Sequence, residues 1–484
     1  MSRQFIILMI ISAGLLVLRG FFILKTSVID DEAYYMMYSR HLAWGYIDHG
    51  PMVALIIKLG TILFGENGFG IRVGGLVLYS FMSMFLFHFG KKEFNSKTGV
   101  ILFTTFWINI LFHTNGIVTT PDSPLAFFSL LSVCIYYKAF MENPDCFYLG
   151  GLFLGLAFLS KISVLFIAVG IGLFPVICRP FRAHLKDYRF YLSFVIAFAV
   201  FSPFILWNTQ NDWAFVKYQG GHISGKGGID SFIELWSGVA LLLGPVLFYY
   251  TMTLPWRHVK SLIKDYVNVS SKELYFALVT AVPLFYFIIH SLFSRFELNW
   301  PAPIFYGGIF LFSIHLGKTG KSHKKKLLFQ WGFSLFLILI ITVQTFYPVL
   351  PLKGKNDITN RYYLYNGLIK NLNVFLKDHP EFNEYRITAN NYQIPSMINL
   401  CLKPEKEASC LSIKYHKTLY SFLYPLNSLG GERLLFIEKG NSFPSFLSTY
   451  WENIRSLASF QSERDGILIQ DYSLWELSEF RDKL

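Results

Sequence analysis

The sequence predicts a polytopic α-helical membrane protein of about eleven spans with a small α/β domain at its C-terminal end. Three observations predict this class. Of 484 residues, 53% are hydrophobic, 18% aromatic and only 15% charged, against about 25% charged in soluble domains. Mean hydropathy is +0.41. Apolar runs of about twenty residues, the length that crosses a bilayer core, recur as far as residue 348, and none follows Pro348 and Pro351. The chain therefore divides into a transmembrane part, 1–348, and a tail, 349–484.

Taken in order, the expected spans are 4–24, 71–90, 99–117, 123–140, 147–160, 162–178, 190–207, 236–254, 273–292, 300–316 and 327–348. The fifth and sixth are parted only by the short segment around Lys161. Cytoplasmic loops hold the excess of Lys and Arg. Basic clusters at Lys91-Lys92-Lys97, Arg179–Arg189, Arg257–Lys272 and Lys318–Lys326 fall on one face, and the other face is poorer in them before residue 349. This places the N-terminus in the cytoplasm and the tail in the periplasm of a bacterial inner membrane. The first span reads as a retained anchor, because no small-residue cleavage site follows it.

The formal charge of +12 and pI of about 9.2 do not imply a nucleic-acid partner. Basic and acidic residues nearly balance beyond residue 349, so the excess belongs to the membrane part, where the topology bias explains it.

In the tail, Tyr385–Thr388, Leu434–Ile437 and Ile467–Gln470 read as short strands, and Tyr363–Leu376 and Phe446–Leu457 as helices. Cys401 and Cys410 lie in a compartment that permits disulfides, which leaves a bridge between them open. Cys134, Cys146 and Cys178 read as apolar packing.

Carboxylates beside hydrocarbon are expensive and persist where they face a wet cavity. Two such clusters, Asp30-Asp31-Glu32 and Thr120-Pro121-Asp122, fall on the same outer face. An ionised Asp there can act as general base or hold a divalent ion with a second carboxylate. A phosphate leaving group would need cations on that face, and Lys161, Arg295 and His49 are available, with His222 and Lys226 in the Gly-rich segment 220–228. Acid and base patches at one membrane surface suit group transfer from a lipid-linked phosphate.

Blander readings stand beside these. Asp30, Asp31 and Asp122 can cap helices, Lys161 can mark a loop end, and Arg295 can pair with Glu297 at the surface. A single interfacial histidine such as His49 or His222 is more often merely hydrogen-bonded. The Gly-rich run lacks a Gly-Lys-Ser/Thr ending and reads as a loop that orders over substrate. Tyr34, Tyr35, Trp44 and Trp300 fit an interfacial aromatic belt. A cation held by Asp31, Glu32 and Asp122 is left open, since no His-Glu-x-x-His or Cys-x-x-Cys motif is present.

Six motifs occur in order: Asp31-Glu32-Ala33-Tyr34-Tyr35; the stretch from Ser39-Arg40-His41 to Asp48-His49-Gly50-Pro51-Met52; Thr120-Pro121-Asp122-Ser123-Pro124-Leu125; Leu159-Ser160-Lys161; Trp207-Asn208; and Ser294-Arg295-Phe296-Glu297-Leu298-Asn299-Trp300-Pro301. Over residues 1–316 the chain resembles the bacterial branch of the protein O-mannosyltransferase family, polytopic C-type-fold glycosyltransferases related to the transferase that adds aminoarabinose to lipid A.

The resemblance implies inverting transfer of a sugar from a polyprenyl (undecaprenyl) phosphate carrier to an envelope acceptor, either lipid A, another glycan or lipid, or a protein hydroxyl. It implies Asp31 as base with Glu32 beside it, Asp122 as second carboxylate, and Lys161 and Arg295 at the donor phosphate; His49 is read as joining them there, and His222, Lys226 and Asn299 as lying toward substrate. Gly50 stands where relatives often carry proline, and is expected to loosen the backbone at His49. The competing class is a lipid-linked sugar transporter or flippase, which usually shows duplicated halves. Each acidic motif here occurs once.

Overall fold

The computed structural model describes residues 3–223, 227–264, 270–318, 323–352, 354–413 and 415–481. It is a helical membrane protein followed by a small sheet domain. The chain opens with α1 (Arg3–Lys25), then turns through 78° into α2 (Asp30–Arg40). Next come α3 (Met52–Phe64), α4 (Gly68–Glu93), α5 (Ser96–Ile108), the single turn α6 (Ile110–Thr114), α7 (Asp122–Met141), α8 (Cys146–Phe158) and α9 (Leu165–Ile177). After them lie α10 (Tyr188–Gln210), α11 (Ala214–Ile223), α12 (Ile229–Leu243), α13 (Pro245–Lys264), α14 (Ser271–His290), α15 (Ala302–Lys318) and α16 (Lys324–Phe346).

Among the described residues, five helices are long and apolar enough to cross a membrane alone, and up to eight if each bent pair counts as one span. A helix lies within each of the eleven expected apolar runs, but the run at 236–254 is broken. Gly244 takes φ +84° ahead of Pro245, and α12 and α13 diverge by 113°. Irregular backbone at membrane depth must be satisfied by protein. Here the Leu243 carbonyl accepts from Asn109 Nδ2 (2.8 Å) and Gln330 Nε2 (2.7 Å), while Gln330 Oε1 accepts from the amides of Val246 and Leu247.

Helix α1 carries a fully buried arginine, Arg19. Its guanidinium donates to the Trp107 carbonyl (2.5 Å) and His113 Nδ1 (3.0 Å) and lies over the Trp107 and Tyr79 rings.

Beyond α16 the chain forms α17 (Asn366–Asp378), β1 (Arg386–Ala389), α18 (Gln393–Cys401), β2 (Ser409–Cys410), α19 (Leu419–Leu423), β3 (Leu434–Lys439), β4 (Trp451–Arg464) and β5 (Ile467–Phe480). The sheet order is β2-β1-β3-β5-β4, with β1 parallel to β2 and β3, and β5 antiparallel to β3 and β4. The expected strands begin within one residue of β1, β3 and β5, but the helix expected at Phe446–Leu457 is a short 3-10 turn followed by β4. Pairing with β5 along its whole length overrides local preference there. Cys401 and Cys410 are both free thiols, the first exposed and the second buried.

The tail packs on α2 and α3 rather than standing apart. Residues of α2 and α3 share one core with α17, α18, β1 and β3, in which Tyr34, Met37 and Ile57 meet Leu368, Met397 and Ile437.

Candidate active site

Asp30, Asp31 and Glu32 occupy the first turn of α2, where carboxylates complement the free amides and the helix dipole. Their fates differ. Glu32 is fully buried against Arg72 of α4 (2.6 Å), and its oxygens also accept from the amides of Ile29 (3.2 Å) and Thr119 (3.1 Å). Arg72 in turn donates to the carbonyls of Thr26 and Ser27. Glu32 therefore ties together the α1–α2 turn, α4 and the segment that leads into Asp122. Its carboxylate is consumed in doing so.

Asp31 faces outward. Its Oδ2 accepts from Arg361 (2.6 Å) and its Oδ1 from the Tyr392 hydroxyl (3.4 Å), with the side chain about a third exposed at 31%. The same guanidinium reaches Asp30 (2.7 Å), which also accepts from Tyr365. Burial pushes the Asp31 carboxyl above its ordinary range, while the charge of Arg361 pulls it back. Arg361 and Tyr392 lie more than three hundred residues along the chain, and the sequence reading named neither.

Asp122 opens α7, buried, with Lys161 Nζ on one oxygen (2.9 Å) and Asn299 Nδ2 on the other (2.5 Å). Three residues expected from separate motifs thus meet. Lys161 lies in the turn between α8 and α9, and Asn299 in the turn before α15.

Tyr35 of α2 links the two acidic centres. Its phenol is pushed well above its ordinary range, by burial first and then by the charges of Asp48, Asp31 and Asp122. The charges of all three carboxylates are thus felt at one buried phenol.

His49 sits edge-on to the Tyr35 ring, centroids 5.9 Å apart. Its neighbour Asp48 accepts a short hydrogen bond from Tyr38, whose ring stacks on Tyr46 at 3.7 Å. Burial pushes the Asp48 carboxyl up to about 6, against the opposing bond from Tyr38. Gly50 does not loosen this loop. A Cβ there would stand 2.0 Å from the Leu159 carbonyl, which accepts from the Met52 amide. Glycine is needed for the close approach that brings the His49 loop against the Lys161 turn, and proline would collide.

Other expected residues lie elsewhere. Arg295 pairs with Glu234 of α12 (2.9 Å), both side chains largely exposed at 68% and 62%, in place of the Glu297 pairing considered from sequence. His222 falls within α11, but its side chain lies outside the described residues, as does Lys226. From α11, Gln219 reaches the Asp48 carbonyl (3.1 Å).

The arrangement does not fit the cation left open for Asp31, Glu32 and Asp122. The Glu32 oxygens are taken by Arg72 and two amides, those of Asp31 by Arg361 and Tyr392, and those of Asp122 by Lys161 and Asn299. No group of three His, Cys, Asp or Glu side chains gathers as a metal site among the described residues.

Behind Asp122 lies a cavity of about 140 Å³ between α6, the segment before α7 and the start of α15. Asn115, Asn299 and Tyr306 supply its polar wall with Asp122, and Phe112 and Ala302 part of its apolar wall.

Residues 48–207 match the family described as dolichyl-phosphate-mannose-protein mannosyltransferase. The lipid A galacturonosyltransferase RgtD of Rhizobium johnstonii is 25% identical over 270 residues, 52% of this chain and 56% of that protein. An uncharacterized protein of Aquifex aeolicus is 26% identical over 151 residues, 31% of this chain and 30% of that one. The chain thus spans just over half the length of the first relative and under a third of the second. Structures of ArnT from Cupriavidus metallidurans, in the apo state and bound to undecaprenyl phosphate, share its fold at a TM-score of 0.64 and 12% identity, over 98% of both chains. Over its whole length the chain thus has the fold of ArnT, and a segment that includes Asp48, His49, Asp122 and Lys161 is similar to the mannosyltransferase family.

Proposed function

We propose that the protein is a glycosyltransferase that moves a sugar from a polyprenyl-phosphate carrier to an envelope acceptor at the outer face of the inner membrane, with inversion at the anomeric carbon. Asp31 takes the proton of the acceptor O–H as its oxygen attacks C1. The C1–O bond to phosphate breaks, its electron pair stays on the phosphate oxygen, and the carrier leaves as a phosphate monoester. Lys161 meets the charge that develops on that leaving group, with His49 on the adjoining loop. Asp31 then returns its proton to water. Asp122 holds Lys161 and Asn299 in place, and Glu32 fixes the distance between the acidic segments without touching substrate.

Glu32, next to Asp31, accepts from the Thr119 amide three residues ahead of Asp122, and His49 sits against Tyr35 on a loop bonded through Met52 to Leu159 beside Lys161; this carries the reading, because a base and a phosphate-binding cation must serve one reacting centre. The carrier named for ArnT and the lipid A acceptor named for RgtD support a polyprenyl phosphate donor and a lipid acceptor.

In a deletion strain complemented with Asp31→Asn, the transferred sugar should disappear from envelope lipids and secreted proteins by mass spectrometry, with the variant still inserted at normal levels. Transfer near the wild-type level would remove Asp31 as the base.

A further inference from the structure

The cavity behind Asp122 holds a polar group that nothing in the fold explains. Tyr306 is fully buried on α15 and lines the cavity, yet its hydroxyl has no hydrogen-bond partner among the described residues. A buried hydroxyl left unpaired costs about 1–3 kcal/mol, so its retention points to a ligand that completes it. The volume of about 140 Å³ is roughly ten times the ~10–15 Å³ that one water requires. That is room on the scale of one monosaccharide ring. The lining combines the polar residues Asn115, Asn299, Thr120 and Tyr306 with the apolar Phe112 and Ala302, the mixed character that a sugar ring presents in return.

The charge of the wall narrows the class. Among the described residues that line the cavity, Asp122 is the one ionisable acid, and there is no Lys, Arg or His. Lys161, bonded to Asp122 and assigned above to the leaving phosphate, is not among the residues that line the cavity. Arg19 is not among the lining residues either, and its guanidinium is engaged by Trp107, His113 and Tyr79. A ring that bears a carboxylate would enter beside a like charge with no cation to receive it, and would lose its hydration without compensation.

We infer that this cavity is the glycosyl subsite of the transferase, that it accepts a ring without a carboxylate, and that Tyr306 selects the ring through a hydrogen bond to one of its hydroxyls. The inference rests on the function proposed above and goes further by naming the substrate class. It also separates this chain from RgtD, whose galacturonosyl group is anionic.

Binding to the full-length protein in nanodiscs tests it, by competition with labelled undecaprenyl phosphate. The competitors are undecaprenyl phosphate galactose, undecaprenyl phosphate galacturonic acid and unlabelled undecaprenyl phosphate. The galactosyl lipid should bind at least about tenfold more tightly than the galacturonosyl lipid. Tyr306→Phe should weaken the galactosyl lipid several-fold and leave undecaprenyl phosphate unchanged, and Asp122→Asn should narrow the gap between the two sugars.

Equal or tighter binding of the galacturonosyl lipid would overturn the subsite and leave the carrier reading standing. A Tyr306→Phe variant that weakens all three lipids alike would assign the hydroxyl a structural role and overturn its part as selector. If neither sugar lipid nor undecaprenyl phosphate bound, the proposed function itself would fall, and the subsite with it.

Discussion

Asp48 is a carboxyl held by a phenol rather than by a cation, and its titration has a sign that can be worked out. An aspartate in an unfolded chain titrates near 3.9, and burial raises Asp48 to about 6. Between those values the folded protein keeps a proton that the unfolded chain has released. The stability this group contributes is therefore full below about pH 4 and is lost as pH rises through 6, a swing on the order of 2–3 kcal/mol. Asp48→Asn keeps an oxygen to accept from Tyr38 and has no charge to bury. Its thermal unfolding temperature in detergent should exceed that of the wild type at pH 8, and the gain should shrink or vanish at pH 4.5. A gain independent of pH would mean that Asp48 is not the titrating group.

At this scale the site was partly legible in the sequence. Asp31, Asp122, Lys161 and Asn299 each sit in a local motif, and local motifs survive in linear order. Arg361, Tyr392 and Tyr306 carry no such mark, since each is a common residue type brought in from another helix or from the tail. Glu32 was read as a partner in chemistry because it adjoins Asp31. Consecutive helical residues point about 100° apart, which sends one carboxylate outward and the next into Arg72.

Among elements, the α12–α13 break is the one that a hydropathy run conceals. Apolar residues continue through 236–254, so composition alone reads one span, although Gly244-Pro245 is a breaker pair that the sequence displays. What it could not display is the far partner. Gln330 on α16 spans the break with both ends of its amide, and a Cβ on Gly244 would press within 2.4 Å of Gln330 Nε2 at a φ of +84°. Gln330→Leu leaves the amides of Val246 and Leu247 short of a partner at membrane depth, where each such group costs about 1–3 kcal/mol, and leaves the Leu243 carbonyl to Asn109 alone. The variant should unfold at a markedly lower temperature, and Gly244→Ala should do the same through strain. Wild-type stability in Gln330→Leu would mean that the break is satisfied by other groups. The misread β4 has a different cause. Its alternation shows only at Phe460, Ser462 and Arg464, near the hairpin turn at Asp465-Gly466, where both residues take positive φ.

For the molecule as a whole, the polar contacts sort the helix ends into two sets. The ends of α4, α7, α13, α14 and α15 meet through Lys138 with Glu93, Lys272 with the Glu93 carbonyl, His258 with Glu273, and Lys318 with Glu273. These ends carry the basic clusters assigned to the cytoplasm. The opposite ends meet through Asp122 with Lys161 and Asn299, and Asp31 with Arg361. Helix α3 leaves this pairing intact, since Met52 bonds Leu159 at its start and Glu66, just past its end, pairs with Arg40 of α2. Both its ends belong to this second set. Helix α16 begins at the basic cluster and ends beside the tail, where Arg464 of β4 donates to the Thr345 carbonyl (3.0 Å) and Asn360 (2.9 Å). A phosphatase reporter fused after Leu484 should therefore be active in the periplasm, and one fused at the Lys318–Lys326 loop inactive. Cytoplasmic exposure of the tail would reverse both sets together and carry the acidic site to the wrong face for an envelope acceptor.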